Sequence, residues 1–223
     1  MADATQTLSL GDLWNLLEKT FDQLCAACSA GKLVPLLEAD VVGYIYHLLI
    51  TTFDGDASRI HLATRLVGTS GNDKYDLVIG QVMETEELKS RVIRDAGDID
   101  ERTKKMLSSK SIMSGFRPAI SGELVLELKH FARGFDPTQL RVHLEQAIQD
   151  VGKLKELRSV CPEGRALVLF DDRGYLTPFR QRAVIGALGP EDASVRIYMF
   201  HRDDTSNLLW KLLRRPEDNS VAE

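Results

Sequence analysis

Glu127 and Lys129 stand two positions apart in GELVLELKHF, residues 122–131. The Leu and Val spacing around them reads as a strand, in which alternate side chains share a face, so the acid and the base project together. Burying an unpaired carboxylate or ammonium is costly, so such a pair needs a partner or a purpose. One purpose is a metal site, with Glu127 as a hard oxygen ligand and Lys129 placed to orient or activate a water. Asp76, near the start of the apolar run KYDLVIG, belongs to a neighbouring strand that can bring it beside Glu127. The backbone carbonyl of Leu128 lies between the two side chains, and Glu38, in the first turns of an apolar helix, can reach the same metal or its waters. The competing readings are plain ones: a solvated edge-strand face for Glu127 and Lys129, a hairpin-end cap for Asp76, and a first-turn acid serving the helix dipole for Glu38.

Positioning these residues requires a particular run of elements. From Leu8 to Ala30 the apolar residues recur at helical spacing, Ser9 and Asp12 resemble a capping box, and a second helix opens at Pro35 and runs to DGDAS. RIHLATRLVG and KYDLVIGQV, separated by the turn TSGND, read as an antiparallel hairpin. Residues 84–117 are strongly charged and read as an insertion or flap. After the third strand come the amphipathic helix PTQLRVHLEQAIQDVGKLKEL, the strand RALVLFDD, the helix TPFRQRAVIGALG and the strand SVRIYMFHRD. The expected fold is α/β, a mixed sheet flanked by helices. The expected organisation is an N-terminal helical extension over 1–34, an α/β domain over 35–205 carrying the insertion, and a C-terminal helix with a polar tail over 206–223.

KYDLVIG followed by ELVLELK, within an αβββαβ order, resembles the PD-(D/E)xK nuclease superfamily, which includes many restriction endonucleases and archaeal junction resolvases. The resemblance covers about residues 35–200. Tyr75 stands where the family name places Pro, and the charged insertion lengthens the span from Asp76 to Glu127. The resemblance implies a restriction endonuclease-like fold and phosphodiester hydrolysis, most readily in DNA. It implies one or two Mg²⁺ (or Mn²⁺) ions held by Asp76, Glu127 and the Leu128 carbonyl, with Lys129 assisting the attacking water and Glu38 joining them. Some relatives carry a Gln and Tyr on the following helix; here Gln146 is followed by Asp150, so only Gln146 is carried over as a candidate. The alternative is a nuclease-like module that binds nucleic acid or a protein without cutting.

Composition narrows the partners. A formal net charge of −5 argues against coating nucleic acid by bulk electrostatics, while leaving room for a local basic surface. Lys104, Lys105, Lys110, Arg117 and Arg133 read equally well as groove lining or as solvated charge, because acids interleave with them. Cys25 and Cys28 form a CxxC late in a helical pattern with no second pair to complete a zinc site, so they are expected to pack. No apolar run reaches the ~18 residues of a spanning helix, so no membrane partner is expected. The N-terminal stretch lacks the features of a signal peptide, and the expected compartment is the cytoplasm. The amphipathic N-terminal helix is the expected element for a homodimer.

Overall fold

The computed structural model describes residues 8–52, 59–64, 66, 74–82, 120–131, 134–189 and 194–214. The charged insertion and Arg133 lie outside them. The described elements run α1 (Leu10–Ser29), α2 (Glu38–Thr52), β1 (Ile60–Thr64), β2 (Tyr75–Val82), β3 (Ile120–His130), α3 (Pro137–Glu156), β4 (Arg165–Asp171), α4 (Pro178–Gly186), β5 (Val195–Arg202) and β6 (Leu208–Arg214). They build a mixed α/β fold on one six-stranded sheet in the order β1-β2-β3-β4-β5-β6. β1, β2 and β3 pair antiparallel, β3, β4 and β5 pair parallel, and β6 returns antiparallel to β5.

Side-chain alternation splits the core in two. Leu124, Leu126 and Leu128 of β3 join Val168, Tyr198 and Phe200 under α1 and α2. Val125 joins Leu167, Leu169 and Ile197 under α3 and α4. β4 lies between two parallel neighbours and is buried along its whole length, which is why RALVLFD carries almost no polar alternation. Arg165, its one charged start, is fully buried and donates to the carbonyls of Leu154 and Pro162, so it closes the C-terminal end of α3.

Two expectations are corrected. The segment read as a C-terminal helix is β6 instead. Asp203 accepts hydrogen bonds from the backbone N–H groups of Thr205 and Asn207, a tight side-chain-to-backbone turn that returns the chain antiparallel beside β5. Nor is α1 an appendage. Its capping box forms between Ser9 and Asp12 as expected, but Leu13, Leu17, Phe21 and Leu24 are fully buried in the core of this chain, with Phe21 edge-on to Tyr198, Phe200 and Trp210. The apolar face expected to serve a homodimer is thereby used within the chain. Cys25 and Cys28 are buried on the same helix, and burial pushes their thiols up to about 12 and about 11, as packing residues rather than reactive ones. No described helix is long and apolar enough to cross a membrane.

Candidate functional site

The site forms where β3 outruns β2. β2 and β3 pair Leu77 with Leu126 and Val78 with Val125, and the same register carried one residue further sets Asp76 opposite Glu127. A register shift between Ile79 and Gly80 produces that alignment. Carrying the Gly80–Gly122 pairing onward without it would set Asp76 against Leu126. Gly80 is required at the shift, because a Cβ there would lie 2.2 Å from the carbonyl oxygen of Ser121.

Past this point β3 has backbone donors to place. Its odd-numbered N–H groups serve β4, as Val125 and Phe131 do with Gly164 and Phe170. The even-numbered ones face the β2 side, beyond the last described pair of that ladder, Leu77 with Leu126. The Leu128 N–H is taken by Asp76 Oδ2 at 2.7 Å, and the His130 N–H by Glu38 Oε2 at 3.2 Å. Two carboxylates thus satisfy these backbone donors in place of strand carbonyls. N–H and C=O of one strand residue point to the same edge, so the Leu128 carbonyl lies on the Asp76 side as well.

Lys129 sits among acids from two helices on opposite faces of the sheet. Its Nζ is 3.4 Å from Glu38 Oε2 of α2 and 3.4 Å from Asp150 Oδ2 of α3. Burial alone pulls its pKa down, but Asp150, Glu38 and Asp76 outweigh that, so the net shift is upward. Lys129 therefore keeps its proton. Glu38 moves upward too, chiefly by burial, and against the pull of Lys129.

Glu127 has the more strained environment. It is 3% exposed and faces Asp76 across the ladder and Asp150 on α3. Burial, then those two carboxylates, push its pKa from 4.5 to about 9, and Lys153 offsets only part of the shift. Lys153 Nζ lies 2.7 Å from Asp150 Oδ1 and 3.9 Å from Glu127 Oε1. Glu127 Oε1 and Asp150 Oδ2 are both buried without a hydrogen-bond partner. At neutral pH Glu127 carries a proton in this arrangement.

Asp76, Glu127, Lys129, Leu128 and Glu38 are thus brought together. Gln146 is not among them: it is exposed on α3 and makes no hydrogen bond to these residues. Asp150 and Lys153 enter unforeseen. Asp150 lies on the stripe of Leu140, Ala147, Val151 and Leu154 that α3 turns to the sheet, and an acid on a buried stripe was the available signal. Asp171, the last residue of β4, has a buried carboxylate that accepts from the N–H groups of Arg173, Tyr175 and Leu176.

Among the described residues no group of three or more His, Cys, Asp or Glu is arranged to hold a metal ion. The donors nonetheless suit a hard divalent cation: two facing carboxylates, one with a buried oxygen that lacks a hydrogen bond and with an unfavourable negative charge. Glu38 and Asp150 are engaged by Lys129 instead. No family model, curated protein or solved structure matches this chain.

Proposed function

We propose that the chain is a Mg²⁺- or Mn²⁺-dependent nuclease that hydrolyses phosphodiester bonds in DNA through a PD-(D/E)xK-type site on a restriction endonuclease-like fold. One observation carries the reading: Asp76, Glu127 and Lys129 meet at one end of β3, with a buried Glu127 oxygen left without a hydrogen-bond partner. Asp76 and Glu127 are the residues to hold the cation. When bound, it supplies positive charge to a phosphoryl oxygen and lowers the pKa of a water.

The chain's own residues do the rest. Glu127 must release its proton to serve as a ligand, so loading strengthens as pH rises toward 9. Lys129 stays protonated, so it donates: its ammonium orients the attacking water and offsets charge building on the phosphate. Glu38 and Asp150 fix that ammonium from opposite faces of the sheet. The test is cleavage of supercoiled, linear and single-stranded DNA in Mg²⁺ or Mn²⁺. Wild-type cutting that EDTA and Glu127→Gln both abolish is expected; cutting that survives Glu127→Gln would overturn the assignment.

A second reading has its own observation. Asp76 and Glu38 both satisfy N–H groups that β2 leaves open, which a nuclease-like binding module without cleavage needs just as much. Such a module has no use for a cation at Glu127, and a cation titration separates the two.

A further inference from the structure

The segment RGYLTPFRQR, residues 173–182, holds three arginines and two aromatics with no acid, in a chain of net charge −5. It follows the carboxyl end of β4, which runs parallel to β3 with Lys129 level with Leu169 and His130 with Phe170. In open α/β sheets this edge, beyond the carboxyl ends of parallel strands, is where ligands bind. The segment therefore rises from the edge that carries Glu127 and Lys129.

Its path is held firmly. Asp171 ties down its first turn through three backbone N–H groups, Arg180 Nη1 donates to the Tyr175 carbonyl at 2.6 Å, and Gln181 Nε2 donates to the Leu176 carbonyl at 2.6 Å. A row of rings connects it to the site. Tyr175 stacks on Phe135 (centroids 6.1 Å, planes 23° apart), and Phe135 stacks on His143 (4.3 Å, 22°). His143 in turn lies close enough to Lys129 for the ammonium, after burial, to lower its pKa. Beyond the row, at the start of α4, Phe179 is 74% exposed, with Arg182 and Arg173 exposed on either side in sequence, Arg173 keeping a 3.7 Å ion pair through Nε with Asp172. A single exposed Phe is unremarkable by itself. Set between arginines on a braced segment at the site's own edge, it matches the stacking platform and cationic track of single-strand binders.

We infer that residues 173–182 bind a nucleic-acid strand with unpaired bases, Phe179 stacking on a base and Arg173 and Arg182 contacting phosphates. This rests on the reading of the neighbouring site as one that acts on nucleic acid, and it narrows the substrate class to single-stranded or locally unpaired DNA. Duplex DNA hides its base faces and offers Phe179 nothing to stack on.

The test is fluorescence anisotropy of the full chain with a labelled DNA strand of about 20 nucleotides and with its duplex, in EDTA so that nothing is cut. Wild type should bind the strand more tightly than the duplex. Phe179→Ala should weaken strand binding about tenfold and duplex binding less than about twofold, at unchanged Tm. Arg173→Ala with Arg182→Ala should lower the slope of log affinity against log salt by about 0.7 for each arginine removed. Equal strand and duplex binding by wild type, or strand binding unaffected by Phe179→Ala, would overturn the inference. The nuclease reading fails separately: strand binding through Phe179 without cation-dependent cleavage would remove that reading and keep this one.

Discussion

The two ends of β3 treat acids differently. At its start, Glu123 is met by one guanidinium, Arg59, beside an open hollow of about 350 Å³ lined by apolar residues such as Leu8, Leu13 and Pro162. At its end, four carboxylates (Glu38, Asp76, Glu127 and Asp150) share two ammonium groups, Lys129 and Lys153. The first arrangement is a matched pair that stabilises the fold. The second is short of positive charge, and the deficit falls on Glu127, whose carboxyl meets it by holding a proton. Under the proposed function, that deficit is what a bound cation would fill.

Substitution at each end should expose the contrast. Lys129→Met leaves Glu38 and Asp150 facing each other around an apolar chain and should lower unfolding free energy by about 3 kcal/mol, because breaking a buried pair strands its partners. Arg59→Ala at the other end should lower it by about 1 kcal/mol, since that pair is only partly buried. Urea denaturation of both variants checks the order. Equal losses would mean the two ends are electrostatically alike.

Protons give a sharper effect. The folded chain holds the Glu127 proton more tightly than an unfolded chain, with a pKa of about 9 against 4.5. That contribution to stability is fully present below about pH 4.5 and is lost as pH rises through about 9. In cation-free buffer, Glu127→Gln mimics the protonated side chain, so its Tm should fall less than wild type between pH 5 and pH 9 (a range of about 4 units set by the two values). Parallel Tm curves would show that Glu127 is ionised throughout and that the mismatch is absent.

Much of this end of β3 is legible in the chain itself, for physical reasons. Period-two patterning reveals the strands that carry Asp76, Glu127 and Lys129, and the pairing of β2 with β3 aligns them. Asp150 escapes such reading because an acid on an amphipathic helix suggests a solvated face. Only the packing of α3 shows that its apolar stripe passes over Lys129. β6 escapes because LLWKLLR suits a helix and a strand alike, and the deciding interaction is its pairing with β5. α1 was legible as amphipathic but not as core, since periodicity locates an apolar face without naming what covers it.

If Asp76 and Glu127 hold a cation as proposed, the negative end of β3 exchanges a proton for it. Isothermal titration of Mg²⁺ and Mn²⁺ into the full chain, in two buffers of different ionisation enthalpy near neutral pH, measures that exchange directly. Saturable binding with proton release is expected in wild type and no binding in Glu127→Gln. Binding without proton release, or an unchanged isotherm in Glu127→Gln, would contradict it, and no binding by wild type would leave the non-cutting module as the better reading.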